Sequence, residues 1–227
     1  AIIDEEKNAA LIKLGKKLYL DPRLSINDQI SCNSCHRLDN FGVDSQATSP
    51  GHEGKRGGRN SPTSMNAALH IAQFWDGRAK DVEEQALGPI LNPIEMGMPN
   101  EDAVVNKLKK IEEYKALFAE AFKDEKDPIQ YKNVGKAIGA FERTLLTPSR
   151  FDDFLNGDET ALNENEKRGL QKFVHMGCAT CHNGVALGGN SYKKIGLVKP
   201  YETKDMGRFE ITGLEIDKKV FKVPSLR

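Results

Sequence analysis

The 227-residue sequence has no surplus of either charge: 33 lysines and arginines stand against 33 aspartates and glutamates, a formal net charge of zero. A nucleic-acid binder needs excess basic side chains to displace counterions, so no nucleic-acid partner is expected. No apolar run approaches the ~18 residues that a membrane span requires, so none is predicted. The stretch Ala1-Ile2-Ile3-Asp4-Glu5-Glu6-Lys7 lacks the basic start and apolar core of a signal peptide. Cysteine is scarce. Four residues are too few for a disulfide scaffold, and the chain is long enough to bury a core without one.

What the cysteines lack in number they make up in placement. All four fall into two copies of one pattern, Cys32-Asn33-Ser34-Cys35-His36 and Cys178-Ala179-Thr180-Cys181-His182. This pattern reads as covalent haem c attachment. Two thiols three apart can each add to one porphyrin vinyl group, and the adjacent imidazole then lies where its nitrogen can ligate the iron. A thioredoxin-like pair needs a βαβ setting that neither copy has. A zinc site usually brings its two Cys-x-x-Cys pairs within ~15–20 residues, whereas residues 36–177 separate these. Ordinary disulfides leave the trailing histidines unexplained. Two haem c groups are therefore expected. Because haem c is attached outside the cytoplasm, a removed signal and a periplasmic location follow.

An amphipathic helix precedes each motif. The first carries Leu11, Leu14 and Leu18, with Asp4 as its expected cap. The second opens on Asn163 and Glu166 in capping-box spacing and aligns Leu170, Phe173 and Val174. Gly15 lies 17 residues before Cys32 and Gly169 nine before Cys178, which indicates a duplicated helix-plus-haem unit with an eight-residue insertion around Asp21-Pro22-Arg23-Leu24. Between the units the spacing predicts two more helices. Asn100 caps one that runs through Val104, Leu108, Ile111, Phe118 and Phe122; Val134, Ile138, Phe141 and Leu145 mark the other, which Thr147-Pro148 ends. Beyond His182, weak alternation at Phe209, Ile211, Ile216, Val220 and Val223 suggests loops and a short hairpin. The predicted fold is mainly α with few short strands, in two cytochrome c-like haem domains at residues 1–147 and 148–227.

The sequence resembles the bacterial di-haem cytochrome c peroxidases along nearly its whole length. The resemblance is carried by both haem motifs and by Leu14-Gly15-Lys16-Lys17-Leu18, Asn60-Ser61-Pro62-Thr63, Ala72-Gln73-Phe74-Trp75-Asp76-Gly77-Arg78-Ala79, Asn92-Pro93-Ile94-Glu95-Met96 and Val220-Phe221-Lys222-Val223-Pro224-Ser225-Leu226-Arg227. It implies a division of labour. The haem on Cys32 and Cys35, with His36 as ligand, is the low-potential site where peroxide reacts. The haem on Cys178 and Cys181, with His182, is the high-potential entry point for electrons.

The resemblance also implies roles for single residues. His52, in a loop with four glycines between Gly51 and Gly58, is the removable second ligand of the first iron in the resting enzyme. Glu95 moves a proton between the peroxide oxygens, and Gln85 orients peroxide by hydrogen bonding. Trp75, the one tryptophan, lies between the haems. Asn60 is a side-chain ligand of an interdomain calcium ion. His70, in an apolar stretch, reads instead as a satisfied packing residue, and His175 is given no role.

The implied activity is reduction of hydrogen peroxide to water, with electrons from a small periplasmic cytochrome c or copper protein and a possible homodimer as the working form. A non-catalytic di-haem electron carrier is one alternative; a di-haem oxidase acting on a protein substrate is another. None of the five methionines occupies the family position of the second haem's sixth ligand, since Met176 is too close to Cys178 and Met206 falls in a loop. The chain is accordingly expected to be an incomplete record of a longer protein.

Overall fold

A computed structural model describes residues 2–227 and is mainly helical. Helix α1 (Ala9–Leu20) buries Leu14 and Leu18 completely, as its apolar spacing predicts. Asp4 does not cap it. The Asp4 side chain instead accepts from the Lys7 N–H (3.2 Å) in a separate turn, and α1 begins after Asn8, which makes no side-chain cap bond.

Around α1 the amino-terminal part builds the core. After the single-turn α2 (Cys32–Cys35) come α3 (Val82–Leu91), α4 (Glu101–Lys109), α5 (Glu112–Ala121) and α6 (Tyr131–Glu142). Helix α6 is the central element, buried along nearly its whole length between α1 and α3. Gly15 permits the crossing of α1 and α6, because a Cβ there would lie 1.8 Å from the Ala137 carbonyl oxygen. Tyr19 then meets Phe141 edge-on at 5.3 Å. On the opposite side a Cβ at Gly135 would lie 2.5 Å from the Glu83 carbonyl oxygen of α3.

Two of the sequence expectations change here. The helix predicted through Val104 and Phe122 is two helices, broken where Ile111 takes an extended conformation (φ −105°, ψ 109°). The apolar spacing runs on across this break, but Glu112 and Glu113 start a new first turn, where the helix dipole favours acidic side chains. Asn100 does cap α4, accepting from the Ala103 N–H at 2.9 Å. Helix α6 ends at Glu142, ahead of Thr147-Pro148; the chain leaves it through turns in which Thr144 N–H bonds to Phe141 O and Leu145 N–H to Glu142 O.

The carboxyl-terminal part holds α7 (Arg150–Leu155), α8 (Glu164–His175), α9 (Phe209–Thr212) and two strands, β1 (Tyr192–Lys194) and β2 (Val220–Lys222). The strands pair antiparallel with Lys193 opposite Phe221. Residues 195–219 lie between them, so they are not the tight hairpin that the alternation suggests. The capping box of α8 forms as expected: Asn163 Oδ1 accepts from the Glu166 N–H (3.0 Å), and Glu166 returns an acceptor to the Asn163 N–H (2.8 Å). Nevertheless, α8 contains no buried residue.

Specific contacts join the two parts. The Ile71 N–H bonds to Gly189 O, and the Lys222 N–H to Trp75 O, each at 2.8 Å. The Arg59 guanidinium reaches Asp205 at 2.7 Å and Asp76 at 2.5 Å. Among the described residues no helix is long and apolar enough to cross a membrane.

Candidate functional site

The first Cys-x-x-Cys-His motif is locally rigid. Ser31 and Ser34 form a capping box around α2, with Ser34 Oγ accepting from the Ser31 N–H at 3.0 Å. Tyr19 Oη donates to the His36 carbonyl (2.7 Å) and holds the motif's end against α1. The His36 ring is tied at Nδ1 to Pro62 O at 2.9 Å. A carbonyl can only accept, so Nδ1 carries the hydrogen and Nε2 keeps its lone pair. Burial lowers the His36 pKa, which favours the neutral, ligating form. Burial likewise pushes the Cys32 thiol up to about 12.

Cys32, Cys35 and His36 line a cavity of about 900 Å³, together with Trp75, Gln85 and Glu95. Helix α3 presents Gln85. Glu95 follows the turn after α3, where its N–H bonds to Asn92 O and Asn92 Nδ2 donates to its Oε1, both at 3.0 Å. Burial raises the Glu95 pKa, with Arg78 and Asn92 opposing it. A carboxyl shifted upward in this way takes up a proton more readily than an exposed one.

His52 is brought to the same neighbourhood by its backbone. Its N–H bonds to Ile94 O (3.0 Å) and Glu95 O (2.8 Å), and the ring packs over Gly97. Gly51 is required for this approach, since a Cβ there would lie 1.9 Å from Ile94 O. The imidazole Nδ1 is buried without a partner, and the ring is not among the groups lining the cavity. Asn60 is exposed; its carbonyl accepts from Trp75 Nε1 at 3.0 Å. Among the described residues no group of three or more His, Cys, Asp or Glu side chains could hold a metal ion.

The second motif is differently placed. Cys178 is exposed, the segment Cys178–Thr180 forms one 3-10 turn, and His182 Nδ1 lies 3.3 Å from Leu187 O. His70 departs from the packing role expected of it. Its Nδ1 meets Lys222 Nζ at 3.0 Å, but its Nε2 is buried and unpartnered. Burial, followed by the Lys222 charge, pushes the imidazole down to about 4, and burial takes the Lys222 ammonium to about 8.

Of the cavity residues that sequence reasoning missed, Glu142 is the buried acid without a partner among the described residues. Glu142, only 7% exposed, lines the cavity from the end of α6. Burial first and the Glu83 charge second push it up to about 8, against the pull of Arg143. The signal was present in the sequence: Glu142 stands four residues after Ile138 and eight after Val134, in register with the apolar stripe.

Thiol pair, oriented imidazole and a cavity of this size fit a haem c at the first motif. The model of the di-haem cytochrome c peroxidase family matches residues 9–160. The chain belongs to this family. It is 48% identical to the cytochrome c551 peroxidase of Nitrosomonas europaea over 224 residues, covering 97% of this chain and 66% of that protein. It is 46% identical to the cytochrome c551 peroxidase of Pseudomonas aeruginosa, covering 95% of this chain and 64% of the relative. The chain thus spans just under two thirds of the length of these two relatives. Its fold matches the crystal structure of a MauG-like protein associated with microbial copper homeostasis, with TM-score 0.87 and 30% identity, across 100% of this chain and 70% of that one. The family match includes the first motif and the whole cavity wall from α2 to α6 but ends before the second motif.

Proposed function

We propose that this chain forms the two-haem part of a periplasmic peroxidase that reduces hydrogen peroxide to water with electrons from a small cytochrome c or copper protein. The supporting observation is that the first haem motif (Cys32, Cys35, His36) and the distant pair Gln85 and Glu95 line one cavity. Cys32 and Cys35 would hold the first haem through thioethers, and His36 Nε2 would ligate its iron. When bound, the haem supplies the electrons and the Lewis-acidic iron. The protein's own part is acid–base chemistry. The Glu95 carboxylate takes the proton from the near oxygen of peroxide and returns it to the far one as that oxygen leaves as water. Gln85 holds the far oxygen in place by a hydrogen bond.

His52 would serve as a removable second ligand of the first iron; its Nδ1 without a partner leaves the ring free of competing hydrogen bonds there. Cys178, Cys181 and His182 would hold the second haem in a carboxyl-terminal domain at residues 148–227, with Trp75 in the seam between the domains. Asn60 contributes to a calcium site, and two copies associate as a homodimer.

A second reading is the di-haem oxidase acting on a protein substrate that the family resemblance leaves open. The deciding assay measures peroxide consumption by the haem-loaded protein with a reduced small cytochrome c, before and after half-reduction. Turnover is expected, stronger after half-reduction. A carrier would show none in either state, and a protein oxidase would consume peroxide without oxidising the cytochrome.

A further inference from the structure

Three acids are buried among the described residues, Asp21, Asp76 and Glu142; the first two are paired with arginines, and the proposed reaction leaves Glu142 without work. It closes α6, is 7% exposed, and lines the same cavity as Cys32 and His36. Among the described residues no hydrogen bond or ion pair reaches its carboxyl. Its neighbours are otherwise engaged. From α3, Glu83 is paired with Arg143 through two contacts of 2.7 and 2.8 Å. From α1, Tyr19 Oη is bonded to His36 O and Ser64 Oγ and is held far from ionisation by burial. From α2 comes the Cys32 sulfur, which cannot ionise once it is a thioether. Glu95 and Arg78 stand on the cavity wall.

A buried carboxyl with no protein partner carries a large desolvation cost when charged. Helix α6 could have ended the stripe on an apolar residue at no such cost. An acid in this position therefore acquires its partner from whatever fills the cavity.

We propose that Glu142 is the proton acceptor coupled to reduction of the haem bound at Cys32 and Cys35. One electron passing from the second haem, or from an external one-electron reductant, converts ferric iron to ferrous. One solvent proton converts the Glu142 carboxylate to the acid, so the cavity gains no net charge. The proposal rests on the haem assignment above. Burial holds the Glu142 carboxyl near pH 8, so its charge state responds to a change of one unit of charge nearby.

The test is a spectroelectrochemical titration of the first haem in the loaded protein across pH. In the wild-type protein the midpoint potential is expected to fall tenfold in equilibrium constant per pH unit (about 59 mV) within the window bounded by the two Glu142 pKa values. Glu142→Gln should flatten that segment, whereas Glu142→Asp and Glu95→Gln should keep it. A second measurement needs no variant. The reduced-minus-oxidised infrared difference spectrum of the wild-type protein should gain a protonated-carboxyl C=O band that shifts in D₂O. An unchanged slope in Glu142→Gln, or no such band, would overturn the proposal. A sample without a Soret band, or with the mass of the bare polypeptide, would instead sink the haem assignment itself.

Discussion

The two Cys-x-x-Cys-His motifs look alike in sequence and lie in different surroundings. The first follows a helix whose Leu14, Leu18 and Tyr19 are fully buried, and its histidine is fixed at Nδ1 by Pro62 O at 2.9 Å. The second follows α8, which buries nothing and leaves Val174 and Met176 55% and 71% exposed. The paired glycines show the same contrast. Gly15 sits 1.8 Å, in Cβ terms, from the carbonyl of a crossing helix, and Gly169 faces open space. A duplicated local pattern thus specifies helix and motif, but the cavity beside the first copy is lined by loop residues 49–64 and 73–78, by α3 and the turn after it, by Glu142 and by residues 203–211.

The largest test of this asymmetry is chemical. Glu95→Gln is expected to lower peroxide turnover by roughly 10²- to 10⁴-fold, the range of a lost general acid–base group, while leaving haem content unchanged. Full activity in that variant would remove the proton-transfer role of Glu95. Next in size is the helix crossing. Gly15→Ala should destabilise by about 1–3 kcal/mol or prevent folding, because the α1–α6 contact must open; urea melts of the loaded protein read this directly.

A pH effect follows from Asp21, which accepts from Arg23 and Tyr114 and is held down at about 2 despite its burial. Its folded pKa is below the unfolded value of 3.8. The stabilisation is therefore present above pH 3.8 and is lost as pH falls through about 2. Acid denaturation of Asp21→Asn should be flatter across that window, with about 1–2 kcal/mol less stability at pH 7. Equal acid profiles would mean that Asp21 contributes nothing through its charge. The smallest effect is expected at the second copy. Gly169→Ala, exposed in mid-helix, should be neutral or stabilising by up to about 1 kcal/mol, opposite in sign to Gly15→Ala. A destabilisation there as large as at Gly15 would end the comparison.

Much of this was legible from the residues. The motifs, the Asn100 cap and the Asn163–Glu166 box rest on local rules, and local rules held. What escaped depended on tertiary context. Helix α3, which presents Gln85, was hidden by Pro89 near its end, where a proline costs only a late-turn hydrogen bond. The break at Ile111 was hidden because apolar spacing continued across it. Glu142 escapes because only the apolar members of its stripe, Val134, Ile138, Phe141 and Leu145, mark a buried face in sequence. Asp4 fails to cap because a separate turn lies between it and α1.

The single indole is held from both sides. Its ring nitrogen is bonded to Asn60 O and its own carbonyl accepts from the Lys222 N–H, so one residue is pinned by a loop before it and a strand far beyond it. Any slip between the halves must strain one of these bonds, and with only one tryptophan in the chain its fluorescence reports that slip without a label.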